Sequence, residues 1–237
     1  MLRLVDISVE RRTHLFQVSE LELKPGDFVA LIGANGSGKS TFLKYLTGEL
    51  SLKGQVSWNG ELLTPENKPK RARIFAKVDN SFAGLDYMST FEYLALGRIP
   101  YTGALGLLAE SDRAIIAHYA AAFHLTEFLQ LPTDQLSDGE RQRAGIARAL
   151  IQEAPVILLD EPTSFLDYPG KIDVMKRLQE VARTSNKVIV MATHDLDLAT
   201  DFCSGWLVVS TKDRVLNHLS TISDKRTLIQ LAFPELD

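Results

Sequence analysis

A glycine-rich segment near the N-terminus has the residue types and the spacing of a phosphate-binding loop. Residues 33–41 read GANGSGKST and fit the pattern G-x-x-x-x-G-K-[ST]. Glycines allow backbone N–H groups to close around a phosphate, and the start of a helix favours an anion at the same place. We therefore predict that Lys39 reaches the terminal phosphates of a nucleotide and that the Ser40 hydroxyl binds Mg²⁺. The expected nucleotide contacts come from Gly33, Asn35, Gly36, Ser37, Gly38, Lys39, Ser40 and Thr41.

Two carboxylates follow an apolar run later in the chain. Residues 156–161 read VILLDE, which places Asp160 and Glu161 where a buried strand would emerge. Parallel sheets bind ligands beyond the carboxyl ends of their strands. Taken alone, the pair could equally be the acidic start of a surface helix. With a phosphate loop upstream, the pattern favours Asp160 as a Mg²⁺ ligand, usually through water, and Glu161 as the general base that polarises an attacking water.

The composition limits the class of protein. The 237 residues contain 26 Lys and Arg against 30 Asp and Glu, which gives a formal net charge of −4. A weakly acidic chain has no overall attraction for nucleic acid, so we expect no nucleic-acid partner. Cys203 is the only cysteine, which excludes an intramolecular disulfide and a cysteine-rich zinc site. The apolar stretches are too short to span a bilayer and the first residues do not resemble a signal peptide, so we expect a cytoplasmic protein.

Strand and helix patterns alternate along the chain. Continuous apolar runs at residues 28–32, 156–159 and 188–192 predict buried strands of a parallel sheet. Helical patterns fill most of residues 89–152, which we interpret as an insertion, and the polar, proline-containing residues 61–72 predict a surface loop. The alternation predicts an α/β fold in a single domain. Its expected parts are a nucleotide-binding core at residues 1–78 and 155–237 and a helical subdomain at residues 79–154.

A capped helix precedes the acidic strand, and with it the chain resembles an ABC-type ATPase. Residues 136–140 read LSDGE, which is similar to the signature motif of that family, and Ser137 is placed to cap the following helix. Residues 164–167, SFLD, resemble the D-loop, and His194 resembles the switch histidine. These motifs stand in the order that the family has, over nearly the whole chain. The resemblance implies a P-loop NTPase (RecA-like) core with a small antiparallel β subdomain and an inserted helical subdomain.

The same resemblance implies how the motifs act. Two copies would form a homodimer with two ATP sites, each between the phosphate loop of one copy and the signature helix of the other. Ser137 and Gly139 would contact the γ-phosphate in trans, and Asp167 would communicate across the dimer. His194 would hold the γ-phosphate and the attacking water in place. The expected catalytic residues are Lys39, Glu161 and His194.

Two positions depart from the pattern of the family. A glutamine that contacts Mg²⁺ normally follows the strand leading to the helical insertion, and here that position falls on Asp79 or Asn80. Either side chain offers an oxygen ligand, so both are candidates for the metal. The family also stacks an aromatic ring on adenine, and residues 9–13 contain none, so the adenine could be held loosely. The candidates for a substitute contact are Arg11, Arg12 and His14.

A further run bears on what the ATPase drives. Residues 95–103, ALGRIPYTG, are similar to a segment in the ATPases of bacterial importers for iron–siderophore, haem and vitamin B12. Those importers combine two ATPase copies with two permease copies and a substrate-binding protein, which would place the chain on the inner face of the cell membrane. The alternative is a soluble ABC ATPase that drives assembly or mechanical work without a permease. A kinase or a GTPase is disfavoured by the LSDGE segment.

Residues 79–98 join the predicted sheet to the helical insertion. Aromatic and Met side chains are typical of the centre of protein interfaces, so we expect this segment to contact a membrane permease. The alternative is that the same side chains pack inward against the insertion. The large apolar side chains concerned are Phe82, Leu85, Tyr87, Met88, Phe91 and Tyr93.

Overall fold

One large sheet runs through the molecule. The computed structural model describes residues 1–10, 13–51, 53–80, 82, 84–103, 106–220 and 225–233. Within these ranges the strands are β1 (Leu2–Glu10), β2 (His14–Leu23), β3 (Phe28–Ile32), β4 (Lys53–Trp58), β5 (Glu61–Leu62), β6 (Phe75–Val78), β7 (Val156–Asp160), β8 (Val188–Ala192), β9 (Gly205–Ser210) and β10 (Val215–Leu219). Their order across the sheet is β5-β4-β1-β2-β10-β9-β3-β8-β7-β6.

Helices occupy most of the connections between these strands. In the described ranges they are α1 (Lys39–Thr47), α2 (Lys68–Ile74), α3 (Thr90–Ala95), α4 (Glu110–Ala122), α5 (Asp138–Ile151), α6 (Tyr168–Thr184), α7 (Leu196–Phe202) and α8 (Lys225–Ala232). None of these helices is long and apolar enough to cross a membrane. The alternation of strands and helices confirms the predicted α/β class.

One half of the sheet is parallel and deeply buried. β9, β3, β8, β7 and β6 run parallel to one another, and every residue of β3, β7 and β8 is buried. Side chains of β3 alternate between two apolar cores, with Ala30 in the core that includes α5 and α6 and Leu31 in the core that includes α1. Burial on both faces explains why these strands appear in the sequence as continuous apolar runs.

The other half of the sheet is mostly antiparallel. β1 pairs with β2 and with β4, and β4 pairs with the two-residue β5. The hairpin of β9 and β10 joins the two halves, because β10 also pairs in parallel with β2 through Val215 and Gln17. The predicted antiparallel β part is therefore present, and it is continuous with the parallel sheet.

The helices α3, α4 and α5 lie between β6 and β7 in the chain, and a buried arginine holds them together. α3, α4 and α5 contact one another. Arg98, just after α3, donates through Nε to Asp112 Oδ1 in α4 and through Nη1 to the Ile151 carbonyl in α5, both at 2.8 Å. Asp112 also accepts a hydrogen bond from the Ala109 N–H at the start of α4. Charge-assisted hydrogen bonds to two helices fix the relative positions of these elements.

The prediction of a surface loop at residues 61–72 is wrong. β5 and α2 occupy most of this segment, and the Asn67 side chain accepts a hydrogen bond from the Lys70 N–H at the start of α2. The helix buries Arg71 in place of a large apolar side chain. The sequence therefore has no apolar stripe here from which a helix could be predicted.

Arg71 binds backbone carbonyl groups in the interior. Only 2% of the residue is exposed. It donates to the Leu46 and Tyr45 carbonyls, in the last turn of α1, at 2.6 and 3.4 Å. It also donates to the Leu63 and Thr64 carbonyls, after β5, at 2.5 and 3.1 Å. The carbonyl groups of a last helical turn have no partner within the helix, so Arg71 both satisfies the end of α1 and joins it to α2.

We expect Arg71→Met to lower the free energy of unfolding by about 3 kcal/mol. Methionine fills part of the same space but leaves buried carbonyl groups without donors, and each such group costs on the order of 1–3 kcal/mol. Urea denaturation followed by circular dichroism measures the change. Arg73→Met is the matched control, because Arg73 is exposed on the same helix, and its effect should be about 0.5 kcal/mol or less. Equal losses in the two variants would contradict this role for Arg71.

Candidate active site

The register of three parallel strands brings their carboxyl ends to one level. Leu31 of β3 pairs with Ala192 of β8, and Ala192 pairs with Asp160 of β7. The segments that follow these residues are the phosphate loop, the turn at His194 and the turn at Glu161. All three emerge side by side at one edge of the sheet, which is where parallel sheets bind ligands.

The phosphate loop passes from β3 into α1 through glycines with left-handed backbone. Gly36 and Gly38 have φ angles of 76° and 104°, a region that other residues rarely adopt. A Cβ on Gly38 would also come within 2.8 Å of the Leu15 side chain. No side chain of the described residues caps α1, which begins at Lys39. Its first N–H groups and the positive end of its dipole are therefore free to bind an anion at the loop.

Lys39 lies inside the loop that precedes it. Its side chain is buried, and Nζ donates to the Gly33 carbonyl at 2.8 Å and to the Ala34 carbonyl at 3.3 Å. Burial lowers the pKa of Lys39, while the nearby charges of Glu161 and Asp160 oppose that shift. An ammonium group that is poorly hydrated and bonded to neutral carbonyls is strongly stabilised by an anionic phosphate.

Glu161 has a left-handed backbone at the end of β7, and its side chain faces His194. Its φ is 51°, a conformation that costs a non-glycine residue on the order of 1 kcal/mol. Its N–H donates to the Ala192 carbonyl at 2.9 Å. Oε1 lies 3.2 Å from His194 Nε2. Burial raises the pKa of Glu161, so this carboxylate is a stronger base than an exposed one.

His194 approaches Glu161 from the neighbouring strand end. Its side chain is 45% exposed, whereas that of Glu161 is 16% exposed. Burial, and then the charge of Lys39, lower the pKa of His194, which favours the neutral ring near pH 7. A neutral ring donates one hydrogen bond and accepts another. Oε1 of Glu161 is buried and makes no hydrogen bond of good geometry to any described residue, so the pair has capacity left for a water molecule.

These groups share one pocket of about 270 Å³. The phosphate loop forms one wall, and the turns after β6, β7 and β8 form the other. The pocket therefore unites most of the residues that the sequence predicted for phosphate binding with those predicted for catalysis, while Gly33 and Ser37 of the predicted loop contacts do not line it. The lining residues are Leu15, Asn35, Gly36, Gly38, Lys39, Ser40, Thr41, Asn80, Asp160, Glu161 and His194.

Asp79 and Asn80, the two candidates for the position of the family's glutamine, differ in whether they reach the pocket. Asn80 lines the pocket, and the parallel pairing of β6 with β7 sets it level with Glu161. Asp79 does not line the pocket. Its carboxylate pairs with Lys77 at 2.9 Å and its side chain is 58% exposed. Of the two oxygen donors, the structure therefore brings only Asn80 to the site.

The pocket has the oxygen ligands that magnesium prefers. Ser40, Asp160 and Asn80 all line it, and hydroxyl, carboxylate and amide oxygens are suitable for Mg²⁺. Among the described residues there is no group of three or more His, Cys, Asp or Glu side chains that could hold a metal by itself. Mg²⁺ usually takes one or two protein ligands and completes its shell with phosphate and water.

Ser137, Gly139 and Asp167 do not line this pocket. Ser137 caps α5, and its N–H donates to the Glu140 carboxylate at 2.7 Å. Asp167 caps α6 by accepting a hydrogen bond from an N–H of the first turn at 3.0 Å. The starts of the two helices are close, because a Cβ on Gly139 would lie 3.3 Å from the Phe165 carbonyl oxygen. The signature residues are thus not among those that meet the phosphate loop of their own chain.

Leu15 is a pocket residue that sequence reasoning missed. It packs against the phosphate loop at Gly38. No local signal distinguishes it from the other apolar residues of β2, because its place depends on how the sheet is assembled. Among the candidates for the adenine contact, His14 has Nδ1 3.3 Å from Ser8 Oγ. The other two, Arg11 and Arg12, lie outside the described residues.

Comparisons with known sequences find a family and several relatives. Residues 16–164 match the family model described as ABC transporter. An uncharacterised ABC transporter ATP-binding protein of Methanocaldococcus jannaschii is 41% identical, over 76% of this chain and 62% of its own length. The iron(3+)-hydroxamate import ATP-binding protein of Bacillus subtilis is 31% identical, over 84% of this chain and 74% of its own length. The chain thus spans less than two thirds of the first relative and about three quarters of the second.

A solved structure has the same fold. It is the dimeric post-hydrolysis state of an ATP-binding cassette bound to ADP and Pi, with a TM-score of 0.82 and 25% sequence identity. The similarity covers 94% of this chain and 100% of that chain. The segment that matches the family model includes the phosphate loop, the LSDGE helix and the acidic strand end. The chain therefore belongs to the ABC transporter family of ATP-binding proteins.

Proposed function

We propose that the chain is the ATP-hydrolysing subunit of a bacterial ABC importer for iron–siderophore, haem or cobalamin. The observation that most supports the ATPase is the single pocket shared by the phosphate loop, Asp160, Glu161 and His194. The name of the Bacillus subtilis relative, an iron(3+)-hydroxamate import protein, supports import, as does the ALGRIPYTG run. In this role two copies act with integral-membrane permease subunits, and indirectly with a substrate-binding protein, at the inner face of the cell membrane.

The phosphate loop would bind and orient the triphosphate. Its backbone N–H groups and the start of α1 surround the phosphates, and the Lys39 ammonium moves from neutral carbonyls to anionic oxygens. Ser40, Asp160 and Asn80 would hold Mg²⁺. When bound, that ion neutralises charge that develops on the phosphates. Orientation and charge stabilisation are the main contributions that proteins make to phosphoryl transfer.

Glu161 would accept the proton of the attacking water. Its burial raises the pKa, which brings the basicity of the carboxylate closer to neutral pH, where a general base is most effective. His194, with its ring 3.2 Å from the carboxylate, would hold the water and the γ-phosphate in line. The left-handed backbone of Glu161 would keep the carboxylate beside the ring, and Asp160, one residue earlier, would hold the metal.

A second copy of the chain would complete each site. Ser137 and Gly139 stand at the start of α5, whose capped first turn offers N–H groups and a positive dipole end to a phosphate. They do not line the pocket of their own chain, which supports a contact with the γ-phosphate in trans. Asp167 lies at the start of the neighbouring helix α6 and would communicate across the dimer.

The segment of residues 79–98 has an inward and an outward part. Phe82 stacks on the buried Tyr93 ring, with centroids 4.5 Å apart and planes at 10°, and Met88 and Phe91 pack partly buried on the core. These three side chains therefore pack inward, which is the alternative to a permease contact. Tyr87 differs, because it is 79% exposed. We therefore place the permease contact at Tyr87.

We expect Glu161→Gln to bind ATP but to hydrolyse it 10²–10⁴-fold more slowly, because loss of a general base removes about that factor. The variant should accumulate as an ATP-bound dimer in size-exclusion chromatography with ATP and Mg²⁺. Glu180→Gln, an exposed position on α6, serves as the control and should behave like wild type. Wild-type hydrolysis by Glu161→Gln would show that another group is the base.

Asn80→Ala and Asp79→Ala should differ in their need for magnesium. Removal of an oxygen that holds the metal should raise the Mg²⁺ concentration for half-maximal ATPase activity by about tenfold or more. Asp79 pairs with Lys77 outside the pocket, so its variant should keep the wild-type requirement. Magnesium titrations at saturating ATP make the comparison. A larger effect at Asp79 than at Asn80 would reverse the assignment.

Tyr87→Asp should abolish co-purification with the co-expressed permease and should stop transport, while basal ATPase activity is retained. A charge at an exposed ring disrupts an apolar interface without disturbing the pocket. Leu62→Asp is the control, since Leu62 is also exposed (51%) but lies on β5 at the far edge of the sheet. If Tyr87→Asp still transports and co-purifies, the docking surface lies elsewhere.

A further inference from the structure

A second cleft, of about 800 Å³, opens beside the phosphate pocket. The two share Asn80, Glu161 and His194 as lining residues, so the cleft borders the catalytic pair. Among the described residues that line it, Lys171 is the one lysine or arginine. The lining residues are Asn80, Glu161, Thr163, Ser164, Lys171, His194, Asp195, Leu196, Asp197 and Ile229.

Lys171 connects two of the elements that border this cleft. It lies in the first turn of α6, where its N–H donates to the Asp167 carbonyl at 2.9 Å. Its Nζ donates to Oδ2 of Asp195, next to the switch histidine, at 3.2 Å. The side chains of Lys171 and Asp195 are 27% and 30% exposed. The pair is thus partly shielded from solvent, and salt screens it less than an exposed pair.

Asp195 makes hydrogen bonds through both carboxylate oxygens and through its N–H. Oδ2 accepts from Lys171, Oδ1 accepts from the Leu198 N–H at the start of α7 at 3.3 Å, and the Asp195 N–H donates to Thr193 Oγ1 at 3.0 Å. On the other side of the turn, the Thr193 N–H donates to the Leu31 carbonyl at 3.2 Å. The turn that presents His194 is therefore fixed by the sheet on one side and by Asp195 on the other.

We propose that Lys171 is a positioning residue for ATP hydrolysis, which holds Asp195 and thereby keeps the His194 ring opposite Glu161. The inference rests on the proposed function, since it requires that this pair act on the attacking water. Without the ammonium, Oδ2 of Asp195 loses its donor and the turn is held at fewer points. A displacement of about 1 Å at a reacting group can cost on the order of 10²-fold in rate. Asp167 caps the same helix, α6. The bridge between Lys171 and Asp195 therefore also joins the turn at His194 to the start of α6, which we propose lies near the second copy.

Steady-state ATPase assays of Lys171→Met test this role. The value of kcat should fall about tenfold, because a displacement smaller than about 1 Å should cost less than the 10²-fold loss given above. KM and the ATP Kd from calorimetry should stay as in wild type. Lys171→Arg should restore most of kcat, because it keeps a cation that can reach Asp195. Lys176→Met is the control on the same helix, where the residue is exposed, and it should match wild type.

A second variant tests the partner. Asn at position 195 can still cap α7 but bears no charge for Lys171, so Asp195→Asn should show the same fall in kcat. The double variant should lose no more than either single one, because both remove the same contact. A wild-type kcat in Lys171→Met, an equal loss of ATP affinity, or no recovery with Arg would each overturn the proposal. If Lys171→Met does not fold, the kcat of Asp195→Asn tests the proposal instead, and a wild-type value would overturn it. A wild-type protein without ATPase activity would overturn the proposed function instead.

Discussion

The parallel pairing of β3, β8 and β7 is the constraint on which the whole site depends. A slip of one residue between β7 and β8 would move Asp160 off the level of Ala192 and would turn each side chain to the opposite face. Such a slip is opposed by burial on both faces, since Val190 belongs to one apolar core and Met191 to the other. The same side chains that stabilise the sheet therefore set the distance between Glu161 and His194.

Burial acts on three titratable groups of the pocket in the direction that disfavours the charged form of each. It lowers the pKa values of Lys39 and His194 and raises that of Glu161. Lys39 and Glu161 partly offset the cost for each other, because each favours the charged form of the other. A bound triphosphate would add anionic charge beside Lys39, so ligand charge would stabilise the site that the sheet assembles.

The sequence predicted those parts of the structure whose signal is local. The runs at residues 28–32, 156–159 and 188–192 are continuously apolar, and the capped start of α5 at Ser137 follows from a few neighbouring residues. α2 was missed because it buries an arginine that binds carbonyl groups. The choice between Asp79 and Asn80 needed the register of β6 against β7, and the place of Leu15 needed the strand order. Neither can be derived from residues that are adjacent in the chain.

The helix that begins at the LSDGE segment, α5, contacts the stretch of chain around Asn80 that forms part of the pocket wall. Arg148 of α5 donates to the Lys77 carbonyl in β6 at 3.0 Å, and its guanidinium lies 5.4 Å from the Tyr93 ring centroid. Phe82, two residues beyond Asn80, stacks on the same ring. A movement of α5 relative to the sheet therefore changes the packing on both sides of Asn80. Since this connection also presents the exposed ring assigned to the permease, the nucleotide, the second copy and the permease would all act on the same short stretch of chain.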